Sequence, residues 1–312
     1  MKKLKWIFAL FILISCHKDN QVDKLVPSSH IKYFGFTLID TFWDDPTDNE
    51  QKTNYIDEVF GFSNVADILI VNPSDNIVAR MTEMNHLQVK SILHVSELFF
   101  EWIGTSSPSG SEYGLRPDYQ SRWDEFINAN NLQDNQEFIQ SFYIGEEPTW
   151  NGISYSELKL ATDYVKLTIP DIPIMIVEAY PIIDLLKVPN SVDWIGFDHY
   201  FVEDPKTDVL YLNELNTLKS KFTTSEQKLV LIMDTHYISD FHGDYGGIAL
   251  NDMDKVANSY YDLAKSEPKT IAILGYFWPS GFDNPESIGA RNMPETIKEN
   301  YFRIGKEITG KN

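Results

Sequence analysis

Short apolar runs that stop abruptly on polar or acidic tips recur along the chain, and stretches with helical spacing separate them. The runs predict strands at about residues 31–39, 66–71, 91–95, 138–145, 173–177, 192–197, 228–233 and 270–276. Helices are expected over about 53–62, 77–86, 118–130, 155–167, 210–222, 252–266 and 294–308. The sharpest ending is Tyr143-Ile144-Gly145-Glu146-Glu147-Pro148, where two carboxylates meet a proline that cannot extend a strand ladder. Two irregular stretches stand out: 104–114, rich in Gly, Ser and Pro and long enough for a lid or substrate wall, and 240–247.

Eight strands, nearly all of them followed by a helical stretch, predict an α/β fold, a single (β/α)8 TIM barrel covering residues 31–312. An open doubly wound sheet would call for a glycine-rich phosphate loop after the first strand. Phe34-Gly35-Phe36-Thr37 is not one, so no dinucleotide cofactor is implied.

In such a barrel the strand tips converge on one face. They carry Asp40, Glu97, Glu146, Glu147, Glu178, Asp198, His199, Tyr200, Asp234, His236 and Trp278, with Trp43 just beyond the first strand. Clustered acids cost free energy unless something pairs or uses them. Paired carboxylates cleaving a glycoside and metal-assisted hydrolysis both use such a ring. A cluster of His199, His236, Asp198 and Asp234 has the donor types for a metal, but the first strand lacks the His-x-His pair of the amidohydrolase signature, so no metal is assigned. Successive residues of an extended segment point opposite ways, so one of Glu146 and Glu147 is expected to face the cleft.

Ile144-Gly145-Glu146-Glu147-Pro148 resembles the fourth-strand motif of the clan A glycoside hydrolases, in which a Glu beside a Pro is the acid/base. Residues 192–200, Val-Asp-Trp-Ile-Gly-Phe-Asp-His-Tyr, are similar to their sixth-strand pattern, and Tyr276-Phe277-Trp278 to their eighth-strand aromatic floor. The resemblance implies Glu147 as proton donor and Trp278 as a sugar-stacking platform. The sequence departs from the pattern twice: Glu146 replaces the usual Asn, and the seventh strand offers Asp234 where a nucleophilic Glu is expected. Asp234, Asp198 and Glu178 are therefore all candidates for base or nucleophile. Glu146, Asp40, Trp43, Glu97, His199, Tyr200 and His236 are candidate substrate contacts. The expected activity is hydrolysis of an extracellular oligo- or polysaccharide, the rival being a noncatalytic glycan-binding lipoprotein on the same scaffold.

The start of the chain has a different character. Lys2, Lys3 and Lys5 precede an apolar run over 6–14, suited to a secretory leader. Leu13-Ile14-Ser15-Cys16 resembles the lipobox of bacterial lipoproteins, which implies cleavage after residue 15, lipid on Cys16, a tether over 16–30 and attachment to the cell envelope. The charged stretch that follows resembles surface-export signals of Bacteroidetes lipoproteins. Cys16 is the only cysteine, which excludes an internal disulfide. A formal charge of −20 disfavours a nucleic-acid partner. Aromatics at 13% exceed what a core alone usually consumes, in keeping with a carbohydrate ligand.

Overall fold

The computed structural model of the chain describes residues 30–311, so the leader, Cys16 and most of the tether lie outside the described residues. In chain order the strands are β1 (Tyr33–Phe36), β2 (Val65–Leu69), β3 (Lys90–His94), β4 (Phe100–Gly104), β5 (Glu112–Leu115), β6 (Ile139–Glu146), β7 (Ile174–Ala179), β8 (Trp194–Asp198), β9 (Lys228–Asp234) and β10 (Thr270–Tyr276). The α-helices are α1 (Ile56–Val59), α2 (Val78–His86), α3 (Ser96–Phe99), α4 (Tyr119–Asn130), α5 (Tyr155–Thr168), α6 (Val209–Ser220), α7 (Met253–Ser266) and α8 (Glu295–Thr309). Among the described residues no helix is long and apolar enough to cross a membrane.

Eight of the strands form a parallel sheet in the order β1-β10-β9-β8-β7-β6-β3-β2, and the two end strands lie side by side. The seam between them is closed by single contacts. Asp67 of β2 accepts hydrogen bonds from the backbone N–H groups of Leu38 (2.9 Å) and Ile39 (2.8 Å), and Leu69 N–H donates to the Asp40 carbonyl at 3.0 Å. Gly35 allows the close approach, because a Cβ there would sit 2.1 Å from the Val65 carbonyl oxygen. The result is a nearly closed (β/α)8 barrel, the fold expected from the alternating pattern.

Side chains divide as strand alternation requires. Tyr143, Met175, Val177, Trp194, Val230, Ile232 and Leu274 fill the barrel interior, while Phe34, Phe142, Ile176, Phe197 and Leu231 meet the helices. Local signals set the helix starts. Ser154 and Glu157 form a reciprocal capping box at α5, and the Asp208 carboxylate accepts from Tyr211 N–H at α6.

The architecture departs from the expected regularity in three places. The first unit keeps only the single turn α1 where a longer helix was expected over 53–62. After β7 there is a 3-10 turn, Tyr180–Ile182, in place of a full helix, in a connection that contains Pro181 and Pro189. The stretch 104–114 keeps an irregular segment over 105–111, but its two ends pair as an antiparallel hairpin of β4 and β5.

Candidate active site

A cavity of about 440 Å3 opens at the C-terminal end of the barrel strands, within the usual range of about 300 to 1,000 Å3 for small-molecule sites. Its wall includes Glu146, Glu147, Asp198, Asp283, Tyr200 and Tyr276. The β6 backbone explains how two adjacent glutamates both reach it. Tyr143 pairs with Met175, but Gly145 pairs with Ile176, so an irregularity between them shifts the alternation by one residue. Glu146 then pairs with Val177 and turns inward with it. Glu147 follows with φ +44°, in the left-handed region that costs a side-chain-bearing residue roughly 1–2 kcal/mol. Its N–H still donates to the Val177 carbonyl at 2.8 Å, so the turn is anchored. The expectation that one glutamate alone would face the cleft is thereby corrected: the bulge and the left-handed turn break the simple alternation.

Glu146, Glu147 and Asp198 hold their protons more tightly than ordinary carboxyls. Burial raises the Glu147 carboxyl above the ordinary range, reinforced by the charge of Asp198 and a hydrogen bond to it. Asp198, at the end of β8, is also raised by burial. Among the described residues Asp198 Oδ1 has no conventional donor, so a proton shared with Glu147 is the physical way to satisfy it. Glu146 keeps 44% of its side-chain surface open to the cavity. Even so, its enclosed position, then the charge of Glu147, push it up to about 8 against a hydrogen bond from Tyr143 Oη. His94 stacks on Tyr143 with ring centroids 4.3 Å apart, and burial lowers it to about 4, so the imidazole is neutral.

The aromatic side of the cavity is formed by Tyr200 and Tyr276, stacked at 5.1 Å and 11°. Tyr276 Oη donates to Asp283 Oδ2 at 2.6 Å, holding that exposed carboxylate at the mouth. The Tyr276–Phe277 peptide is cis. Phe282 completes the rim and packs edge-on to Trp43 at 5.2 Å.

The other residues singled out from the sequence lie elsewhere. Asp234 ends β9 with no exposed surface. It is enclosed by Phe201 N–H (2.8 Å), His236 Nδ1 (3.2 Å) and His242 Nε2 (3.1 Å). Burial opposes its ionisation, but the charge of His236 and hydrogen bonds from both histidines outweigh that and hold it below the usual range. Glu178 points away from the barrel interior and accepts from Thr149 N–H (2.9 Å) and Trp150 N–H (3.1 Å), which fixes the loop after β6. Burial lifts it to about 7. His199 alternates outward from Asp198, stacks on Tyr180 at 3.8 Å and meets Glu214 at 2.7 Å. Asp40 is held by both forks of Arg80 at 2.7 Å. Trp43 donates to the Ser280 carbonyl at 2.9 Å. Trp278 is 3% exposed, packs edge-on to Phe36 and donates to Glu58, so the inward aromatic of that strand end is Tyr276. Glu97 lines a smaller adjoining cavity with Ser96 and Tyr113.

Asp234, His236 and His242 have donor atoms within 4.8 Å of one another, the spacing of a metal site. Their protons speak against it. His242 Nδ1 accepts from Ile238 N–H at 2.9 Å, so the ring proton sits on Nε2 and is directed at Asp234. A metal on Nε2 would have to displace that proton and forfeit the bond, so the trio fits a hydrogen-bonded support better than a cation.

Sequence reasoning missed Tyr143, His94, Tyr276 as a wall in its own right, and Asp283. Tyr143 was legible as an inward strand position, whereas Asp283 lies beyond the strand tip on a loop whose course no periodicity announces.

No family model matches the chain, and no curated protein matches it. Solved structures do. Xylanase 10B from Thermotoga maritima superposes with a TM-score of 0.56 at 13% identity, covering 89% of this chain and 96% of its own. A GH113 beta-mannanase from Alicyclobacillus acidocaldarius gives 0.51 at 12%, covering 90% and 98%. An alpha-amylase from Geobacillus thermoleovorans gives 0.54 at 12%, covering 90% and 79%. The likeness is one of fold. This chain shares the (β/α)8 barrel on which those glycoside hydrolases are built, over nearly the full described length.

Proposed function

We propose that the protein is a glycoside hydrolase with Glu147 as its general acid. The observation that carries this reading is that the carboxyls of Glu147 and Asp198 line one aromatic-walled cavity at the C-terminal end of the barrel strands, where burial raises both above the ordinary carboxyl range. A carboxyl that stays protonated near neutral pH can give its proton to a leaving glycosidic oxygen as the bond to the anomeric carbon breaks. Asp198 takes a positioning role, since its hydrogen bond aims the acid.

A second carboxylate must lie across the sugar. Asp234 and Glu178 are both engaged away from the cavity, and Asp198 is occupied by the acid. Asp283 stands on the loop after β10, four strands from β6 in either direction around the barrel, and Tyr276 orients it. In this reading Asp283 takes the proton of an attacking water or attacks the anomeric carbon itself, and the stereochemistry of the product distinguishes the two. The resemblance of Leu13-Ile14-Ser15-Cys16 to a lipobox supports a lipid-anchored enzyme acting on carbohydrate outside the cell.

The sealed position of Asp234 favours a second reading, a glycan-binding lipoprotein without catalysis. Release of reducing ends from a polysaccharide panel that includes xylan, mannan and starch decides between them. Release that falls by about 10²–10⁴-fold in Glu147→Gln supports the acid assignment. Release that survives the substitution removes Glu147 from that role, and binding without release by the unsubstituted chain favours the binder.

A further inference from the structure

A second cavity of about 280 Å3 adjoins the first, and the two share His94 and Glu146 as a common wall. Its outer side is Glu97, Phe100, Ser111 and Tyr113, the last three supplied by or next to the β4–β5 hairpin. The hairpin is tied down on several sides. Tyr113 N–H donates to the Asn151 carbonyl at 2.9 Å, Ser109 N–H to the Trp150 carbonyl at 3.1 Å, and Leu115 N–H to Glu157 at 3.2 Å. Arg116 bonds the carbonyls of Glu97 (3.1 Å) and Phe100 (3.0 Å). Since Asn151 and Trp150 belong to the loop that follows Glu147, the hairpin is fixed relative to the acid and forms a wall, not a lid.

Strand geometry fixes which way its aromatics point. Phe100 and Trp102 are two apart on β4 and share a face, and Trp102 is directly paired with Tyr113, so all three rings lie on the side that lines the cavity. Phe100 is buried at the base, whereas Trp102 is 60% exposed, with Ile103 beside it at 58%. No ring contact covers Trp102 among the described residues. Burial, helped by the charge of Glu97, raises the Tyr113 hydroxyl, which keeps it a proton donor.

We propose that this second cavity is a sugar-ring subsite, with Tyr113 and Glu97 bonding hydroxyls and Trp102 stacking on the ring beyond it. The ligand is then an oligosaccharide running from the Glu147 cavity past Glu146 and out along the hairpin. The proposal rests on the carbohydrate reading of the main cavity but not on catalysis. An amphipathic ring face is what an exposed Trp next to a carboxylate and a phenol suits, because sugars offer both an apolar face and hydroxyl edges.

The test is calorimetric titration of the full chain carrying Glu147→Gln, to suppress turnover, with β-1,4-linked xylose and mannose and α-1,4-linked glucose oligosaccharides of two to six units. For the class that binds, affinity is expected to rise with chain length, and Trp102→Ala to weaken the longer ligands by about tenfold while the shortest changes least. Tyr113→Phe, which keeps the ring and removes one hydroxyl, should reduce the length-dependent gain by a smaller factor. Affinity independent of length, an effect of Trp102→Ala equal at every length, or binding of none of these ligands overturns the subsite. If the parent releases no reducing ends but the length dependence and its loss in Trp102→Ala are present, the hydrolase reading fails and the subsite stands.

Discussion

Two acidic strand tips sit side by side in this barrel and have opposite fates. Asp198 ends β8 in the cavity beside Glu147, and burial together with a neighbouring acid leaves the pair short of one ionisation. Asp234 ends β9, the next strand, sealed from solvent and supplied with three donors, so it stays ionised further into acid than an ordinary aspartate. Both are buried carboxylates, and the number of hydrogen-bond donors aimed at each decides the outcome. Protonated acids suit chemistry, and saturated ones suit scaffolding.

The comparison can be broken most directly at its two acids. Glu147→Gln is expected to lower hydrolysis by about 10²–10⁴-fold with little loss of stability, measured as reducing-end release alongside thermal unfolding. Asp234→Ala should do the reverse. It leaves His236, His242 and Phe201 N–H without their acceptor and should cost about 3–5 kcal/mol of stability, read from chemical denaturation. A large loss of activity per folded molecule in Asp234→Asn would return Asp234 to the chemistry.

pH sharpens the contrast, because the two sites carry opposite linkage. Glu146, Glu147 and Asp198 keep protons in the fold at pH values where the unfolded chain has released them. Their favourable contribution is complete below the ordinary carboxyl values near 4 and is lost as pH rises through the raised values, about 7 for Asp198, about 8 for Glu146 and about 9 for Glu147. Asp234, being lowered, contributes above its ordinary value and loses that contribution as pH falls below it. Melting temperature should therefore drop between pH 5 and pH 8, on the order of 5 °C, and the drop should shrink in Glu146→Gln or Asp198→Asn. A flat profile in the unsubstituted chain would mean the cavity acids are ordinary. The smallest expected effect is at Trp278. Substitution by Phe should cost about 1–3 kcal/mol through lost packing and the Glu58 bond, without changing KM, whereas a raised KM would make it a sugar platform after all.

Much of this was legible in the chain itself. The alternation of apolar runs and helical stretches determined eight parallel strands and the end of the barrel where the acid-lined cavity opens, because side-chain periodicity is a local property of strands and helices. The abrupt stop at Glu146-Glu147-Pro148 located the strand tip of the proposed acid for the same reason. Which tip carboxylate faces the cavity was not local. A bulge at Tyr143–Gly145 and a left-handed Glu147 brought in two glutamates where alternation allowed one, and His242, eight residues beyond Asp234, turned back to seal it. Glu178 and Trp278 read as site residues from position alone, yet the backbone of one loop and a carboxylate from α1 claim them. Partners distant in sequence decide ionisation and exposure, and only the folded chain brings those partners together.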